Sequence, residues 1–370
     1  MKKIVMFFGS DRAFVERIPK TYRNLSDIAM QMDDENKQMQ LVLVGLPGNE
    51  NAPSKTKKSK VKVNNFIIFA DEYSSVNEHV IINFLSFISK LSITNMYIQN
   101  PPIHLQEQIK RAFGDLNIIE EIPQKYNMVT DKTIRSINIE FDKRVIGQQA
   151  VKEQILKAIF PIMKNVQCKP IVLLFYGNSG IGKTETAQFL TEQIGGKILR
   201  KQFSMYQNNE FANYLFGGKY NEKSFAKDLI ARDSNVILLD EFDKAYSVFH
   251  SAFYQLFDEG IYEDQNYRVD VRHAIIICTS NYKSKDEIKE KLGDPIFNRF
   301  DGVIKFEDLS QEAKKMIATK ELKELDEEKI IPENVRKILV EQSTKLENAR
   351  EIRKLIKDTK SLIEIREICK

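Results

Sequence analysis

The sequence has few of the residues and runs that mark disulfide-rich, metal-binding or membrane proteins. Its three cysteines, Cys168, Cys278 and Cys369, are scattered and odd in number, which argues against a disulfide framework and favours a reducing cytosol. Its four histidines show no metal-ligand spacing. The most apolar stretch, residues 80–93, is too short to span a bilayer. We therefore expect a cytoplasmic protein with no membrane contact.

An excess of charge of one sign is also missing. The chain has 370 residues, with 56 Lys and Arg against 52 Asp and Glu, and a formal net charge of +4. So small an excess does not predict a committed nucleic-acid binder. One polar segment, residues 48–62, is locally basic and contains Lys55, Lys57, Lys58, Lys60 and Lys62. A solvated loop is favoured, and contact with nucleic acid or an acidic partner stays the alternative. No aromatic residue interleaves with these lysines, so a single-strand stacking groove is not indicated.

The strongest positive feature is a glycine-rich segment, FYGNSGIGKTE at residues 175–185, which matches G-x-x-x-x-G-K-[ST] at every fixed position. The apolar run before it predicts a buried parallel strand, and the residues after it predict a helix. In this context backbone N–H groups and a helix N-terminus surround phosphate oxygens. Lys183 is predicted to reach the β- and γ-phosphates of ATP, and Thr184 to ligate Mg²⁺. The predicted nucleotide-binding residues here are Gly177, Asn178, Ser179, Gly180, Ile181, Gly182, Lys183, Thr184 and Glu185.

Two further apolar runs end in polar residues that suit the same chemistry. Residues 236–239 predict a buried strand that ends in Asp240 and Glu241. Asp240 can support Mg²⁺, and Glu241 can activate the attacking water as a general base. Residues 274–278 predict a third strand, after which Asn281 can orient that water or touch the γ-phosphate, or can simply cap a loop.

These motifs give the chain a family resemblance. Residues 141–355 resemble an AAA+ ATPase, and within that class the second ATPase module of the Clp-type protein unfoldases. The segment VIGQ, residues 145–148, is similar to the adenine-contacting segment of that family, which implies that Val145 and Ile146 touch the base. The phosphate loop and the strand ending at Glu241 are similar to its Walker A and Walker B motifs, and Asn281 matches its sensor 1.

The resemblance also implies two catalytic arginines. FNRFD, residues 297–301, resembles the family segment that holds the arginine finger, so Arg299 is expected to reach the γ-phosphate of a neighbouring subunit. NAR, residues 348–350, resembles sensor 2 of the helical lid, so Arg350 is expected to contact phosphate within its own subunit. A permanently charged guanidinium suits the charge that develops on the phosphate. An Arg299 that acts on a neighbouring subunit in turn predicts a homo-oligomer. The resemblance to the family implies that this oligomer is a hexamer.

One segment departs from the family pattern. In the Clp-type module a Gly-Tyr-Val-Gly pore loop before Walker B grips the threaded polypeptide. The corresponding stretch here, residues 214–223, is shorter and contains no such motif. Tyr220 is a candidate gripping aromatic, and a tyrosine in an ordinary surface turn is the equal alternative. The sequence therefore predicts ATP hydrolysis and leaves polypeptide threading open.

The organisation of the chain follows from these signals. We expect an α/β protein with an AAA+ P-loop NTPase fold, in which helices sandwich a parallel sheet. Predicted domains are a separate N-terminal α/β domain (1–130), a large ATPase subdomain (131–308) and a C-terminal helical lid (309–370). In the N-terminal domain the strands are expected at 3–8, 41–45, 65–70 and 95–98, the helices at 12–32, 76–92 and 103–113, and a linker at about 120–140.

The leading functional hypothesis is an oligomeric ATPase that remodels a protein or complex, with residues 1–130 choosing the target. Its cofactors would be ATP and Mg²⁺. A nucleic-acid-directed AAA+ switch, such as a transposition or anti-phage helper, is the alternative from another class. An ATP-gated scaffold without turnover is disfavoured because Glu241, the predicted base, is present.

Overall fold

The structure is a computed structural model that describes residues 1–44, 60–164, 169–205, 210–220, 222–245, 247–328 and 330–369. Its contacts divide the chain into two compact units. The first unit comprises Met1–Lys125, Asn209–Asp233 and Tyr262–Asp270, and the second comprises Tyr126–Asn208, Ser234–Ile261 and Val271–Lys370. In the described part of the chain, no helix is both long and apolar enough to cross a bilayer.

The described strands are β1 (Lys3–Phe8), β2 (Arg23–Asn24), β3 (Val61–Ile68), β4 (Leu91–Gln99), β5 (Ile119–Pro123), β6 (Ile171–Tyr176), β7 (Leu199–Gln202), β8 (Val236–Asp240), β9 (Ile261–Glu263), β10 (Arg268–Asp270), β11 (Ile275–Thr279) and β12 (Gly302–Lys305). The described α-helices are α1 (Asp11–Val15), α2 (Leu25–Val44), α3 (Glu72–Ser75), α4 (Glu78–Ile82), α5 (Phe84–Ile88), α6 (Ile103–Phe113), α7 (Asp131–Arg144), α8 (Gln149–Met163), α9 (Lys183–Ile194), α10 (Glu210–Phe216), α11 (Phe225–Ile230), α12 (Tyr254–Glu259), α13 (Lys285–Leu292), α14 (Asp294–Phe297), α15 (Gln311–Leu325), α16 (Glu333–Ser343) and α17 (Ala349–Ile368).

The first unit is built on a parallel sheet with the strand order β2-β3-β4-β1-β5. Both faces of its inner strand β1 are buried, since Ile4 and Met6 belong to one apolar cluster and Phe7 to another. A strand buried on both faces has a nearly continuous apolar sequence, as β1 does. The predicted first strand at residues 3–8 is therefore confirmed.

Two segments from far along the chain complete the first unit. Residues 209–233 and 262–270 lie within the sequence predicted for the ATPase subdomain, but they pack with residues 1–125. The backbone N–H of Ile103 donates to the carbonyl of Asn266 at 2.8 Å, and Tyr220 packs against the core of the first unit. The chain consequently passes between the two units five times, after residues 125, 208, 233, 261 and 270.

The second unit contains a parallel sheet with the order β12-β6-β11-β8-β7. Strands β6, β8 and β11 are buried at every residue, so both faces of the sheet are covered. One face joins the core formed with α7, α8 and α9. This is the predicted helix-covered parallel sheet. Its central strands place their carboxyl ends at one edge, where ligands of open α/β sheets bind.

The tail of the second unit is helical, as predicted for residues 309–370. Helices α15, α16 and α17 pack around an apolar cluster of their own, formed by Ala318, Leu322, Ile331, Leu339, Ile352 and Ile356. The cluster buries the apolar stripe that the helical periodicity of this segment predicted.

Four predictions for the N-terminal residues are wrong. The helix expected at 76–92 is divided into α4 and α5, and residues 91–92 belong to β4. Residues 41–44, expected to begin a strand, form the last turn of α2. The helix expected at 12–32 is interrupted by the short strand β2. The linker expected at 120–140 contains most of β5, which pairs with β1 at the sheet edge, and the first ten residues of α7. The basic segment is described only from Lys60, so Lys55, Lys57 and Lys58 lie outside the described residues.

Candidate functional site

The phosphate loop connects β6 to α9 as the sequence predicted. Gly177 has a φ of +134°, and a Cβ added there would lie 2.5 Å from the carbonyl oxygen of Phe306. Only glycine fits this close approach and this left-handed backbone. Helix α9 begins directly after Gly182, at Lys183, so its free N–H groups and positive dipole end face the loop. The loop thus fits a phosphate group.

Lys183 lies inside this loop and is only 8% exposed. Its ammonium group donates to the carbonyls of Gly177 and Asn178 at 2.6 and 2.7 Å, and to Oδ1 of Asn281 at 3.3 Å. Burial lowers the pKa of Lys183 to about 8, although the carboxylates of Asp243 and Asp240 act in the opposite direction. The predicted phosphate-binding cation is therefore half neutral near pH 8.

We expect nucleotide affinity to fall as the pH rises above about 8. The charged form of Lys183 binds phosphate, so deprotonation competes with binding and affinity decreases up to about tenfold per pH unit. Titration of a fluorescent ATP analogue between pH 7 and 9.5 measures this effect. Lys183→Arg keeps its charge over the whole range and is the matched control. An affinity of the unmodified protein that is constant across this range would contradict the prediction.

The two predicted carboxylates follow each other at the end of β8. Asp240 is buried, accepts a hydrogen bond from the Thr279 hydroxyl at 2.5 Å, and pairs with Arg200 at 2.5 and 3.0 Å. Glu241 has a φ of +56°, and its N–H donates to the same Thr279 hydroxyl at 2.9 Å. Its side chain accepts from Gln202 at 3.1 Å. Strained backbone at such a position is common in functional sites.

Strand β7 contributes two site residues that the sequence analysis missed. Arg200 and Gln202 are two residues apart, so they lie on one face of the strand, and they reach Asp240 and Glu241 respectively. In parallel register, Arg200 lies opposite Leu238 and Gln202 opposite Asp240. The two-residue spacing of these polar side chains is the sequence signal that could have placed them on one face of a strand. Four residues without an apolar run, however, do not identify a strand.

The lid reaches the phosphate loop through its last helix. Nη1 of Arg350 donates to the Ser179 hydroxyl at 3.1 Å, and the N–H of Ala349 donates to the Gly180 carbonyl at 3.1 Å. Asn348 caps α17 by accepting from the N–H of Arg350 at 3.0 Å. The predicted sensor 2 arginine is thus positioned on the loop by the start of its own helix.

These groups surround one cavity of about 620 Å³, within the range of about 300–1,000 Å³ that is usual for small-molecule sites. Its lining includes nearly all of the predicted site residues: Val145, Ile146, Ser179, Gly180, Ile181, Gly182, Lys183, Thr184, Glu185, Asp240, Glu241, Asn281 and Arg350. Glu185 is paired with Arg144 at 2.6 Å, and the side chain of Asn178 turns to Asp308 at 2.7 Å. Thr184 and Asp240 supply the oxygen ligands that suit Mg²⁺.

Arg299 does not line this cavity. Its guanidinium pairs with Asp258 at 2.9 Å, donates to the carbonyl of Pro295 at 2.6 Å and lies 4.1 Å from the ring centre of Tyr254. The site within one chain therefore brings together every predicted catalytic residue except this one. A role for Arg299 in a neighbouring subunit stays a prediction.

Comparisons with known proteins indicate a nucleotide-binding family, in agreement with the geometry of the phosphate loop and the cavity. A family model described as the AAA domain of the Cdc48 subfamily matches residues 169–355, half of the chain. The AAA+ ATPase ClpV1 of Pseudomonas aeruginosa is 33% identical over 163 residues, covering 40% of this chain and 18% of the relative. The ATP-binding subunit ClpE of the Clp protease of Bacillus subtilis is 26% identical over 259 residues, covering 60% and 36%. The chaperone ClpB of Malacoplasma penetrans is 32% identical over 222 residues, covering 53% and 31%.

A solved structure shares the fold. The closed state of Hsp104 with ATPγS and FITC-casein superposes with a TM-score of 0.53 at 14% identity, covering 96% of this chain and 86% of that chain. The chain belongs to the AAA+ ATPases, with a module of the Clp type. It matches between 18% and 36% of the length of the three curated relatives above.

Proposed function

We propose that the protein hydrolyses ATP and uses the energy to remodel a protein or a protein complex. The observation that supports this most directly is the convergence of the phosphate loop, Asp240, Glu241, Asn281 and Arg350 on one cavity. All the charges that phosphoryl transfer requires within one subunit are present there. The chaperone and protease-associated relatives support protein as the class of target.

In this proposal Lys183 and the loop N–H groups bind the β- and γ-phosphates of ATP. Thr184 and Asp240 would hold Mg²⁺, which would neutralise phosphate charge when bound. Binding requires Asp240 to exchange its pairing with Arg200, whose charge then faces the same cavity. Glu241 removes a proton from the attacking water, and Asn281 orients that water. Arg350, already on the loop, stabilises the charge that develops on the γ-phosphate.

The remodelling function can be tested by trapping the target. A tagged Glu241→Gln variant should bind ATP without hydrolysing it and retain its target through purification. We expect a defined protein to be enriched with ATP but not with ADP. Lys183→Ala, which should not bind nucleotide, is the matched control. Enrichment that is equal in both variants would contradict ATP-dependent target binding.

The same experiment separates the alternatives. Recovery of DNA or RNA in place of protein, lost steeply as salt is raised, would favour a nucleic-acid-directed switch. No contact within the described residues favours that function, because most of the basic segment lies outside them. We further propose that the active form is a homo-oligomer, a hexamer by analogy with the family, in which Arg299 serves the neighbouring site.

A further inference from the structure

The hairpin β9–β10 is firmly part of the first unit. Tyr262 is buried, its hydroxyl donates to the Leu215 carbonyl at 2.5 Å, and its ring meets Phe225 edge-on at 4.9 Å. At the tip, the side chain of Asn266 donates to the Gly218 carbonyl at 2.7 Å and its own carbonyl accepts from the N–H of Ile103. The hairpin is therefore held by contacts within the first unit.

A short, closely packed turn at Gly260 connects α12 to this hairpin. Helix α12 ends at Glu259, and Gly260 turns the chain into β9 with a φ of +70°. A Cβ at Gly260 would lie 2.8 Å from Pro170 and from Arg272, so the turn has little room to change. The N–H of Val271 closes the base of the hairpin by donating to the Gly260 carbonyl at 2.7 Å. The turn at the end of α12 is therefore closely held by its own neighbours.

Helix α12 carries the groups that hold Arg299. Tyr254 and Asp258 are four residues apart and lie on one face of the helix. The Asp258 carboxylate accepts from Nε of Arg299 at 2.9 Å, and the Tyr254 ring lies beneath the guanidinium. A charged hydrogen bond and a cation–π contact together fix a long side chain that would otherwise sample many rotamers.

We propose that Asp258 is a positioning residue for Arg299, and that the turn at Gly260 and the hairpin after it hold α12 in place for this role. The inference rests on the proposed role of Arg299 in ATP hydrolysis. It implies that a substitution that loosens the hairpin changes the rate of ATP hydrolysis, because a shift of the hairpin moves the residues that aim the arginine.

A double-mutant cycle tests the coupling in the full-length protein. Asp258→Asn should lower kcat about tenfold by loosening Arg299, with the dissociation constant of a fluorescent ATP analogue and the oligomeric state unchanged. Asn266→Ala, in the hairpin, should lower kcat about threefold alone and cause no further loss in the Asp258→Asn background. Asn95→Ala, which removes a side-chain hydrogen bond to Asn65 elsewhere in the first unit, is the control and should leave kcat unchanged.

Two outcomes overturn the inference. One is full kcat in both Asp258→Asn and Tyr254→Leu, where the second variant removes the ring but not the carboxylate. The other is that Asp258→Asn and Asn266→Ala lower kcat by independent factors that multiply. Arg299→Ala separates the failures: if it is inactive while the α12 variants are active, only the coupling is wrong. If Arg299→Ala itself keeps full turnover, the proposed role of Arg299 in ATP hydrolysis is wrong.

Discussion

Replacing Glu241 with glutamine is expected to lower ATP turnover about 10²–10⁴-fold while nucleotide binding is retained. The amide cannot accept the proton of the attacking water, but it has the same shape and can keep its contact with Gln202. Since Lys183 and the phosphate loop do not depend on Glu241, the dissociation constant for ATP should change little. Steady-state phosphate release and equilibrium binding of a fluorescent ATP analogue measure the two quantities.

The matched control is Glu290→Gln, which removes a carboxylate from the exposed surface of α13. It should leave turnover within about twofold, as expected for a substitution away from the site. Undiminished turnover in the Glu241→Gln variant would show that the general base has been assigned wrongly. Another carboxylate at the cavity would then have to be the general base.

Removing the guanidinium of Arg299 is expected to lower kcat about 10³-fold or more, the effect usual for an arginine that stabilises transferring phosphate. Arg299 lies outside the cavity of its own chain, so ATP affinity should not change. The decisive measurement mixes Arg299→Ala with Glu241→Gln. Each variant is inactive alone, but in a mixed oligomer an intact Glu241 site can receive an intact Arg299 from its neighbour, so part of the turnover should return.

Arg12→Ala, at a highly exposed position in the first unit, is the control for removing an arginine. Failure of the mixture to recover any turnover, in a sample shown by native mass spectrometry to contain mixed oligomers, would place Arg299 in its own site or outside catalysis. Equal loss of ATP affinity and kcat in Arg299→Ala would point the same way. The two results distinguish a shared site from a self-contained one.

The strands that carry the site could be predicted because their sequences leave little choice. β6, β8 and β11 are short apolar runs, each followed by residues with a recognisable chemical pattern, and burial on both faces requires such runs. The loop from Gly177 to Thr184 is specified even more strictly, since its backbone angles and close contacts require glycine. Local sequence and fold agree at these positions.

Other parts were not predictable from local pattern. Residues 41–44 read LVLV, and a run of four apolar residues fits the end of a helix as well as a strand. β5 contains Glu120 and Glu121, which suit a sheet edge but hide the strand pattern. The contribution of residues 209–233 and 262–270 to the first unit depends on contacts across more than 100 residues, such as Ile103 with Asn266, which no local window can detect.

The five passages of the chain between its units have a consequence for how the protein can be divided. A fragment ending at residue 125 would lack the two segments that pack with it, and one beginning at residue 126 would leave Tyr220 without the apolar core that it packs against. Fragments cut there are expected to aggregate, since each leaves an unpaired apolar surface. For the same reason, a single gene fusion cannot exchange either unit between proteins, and the two have to be expressed and engineered together.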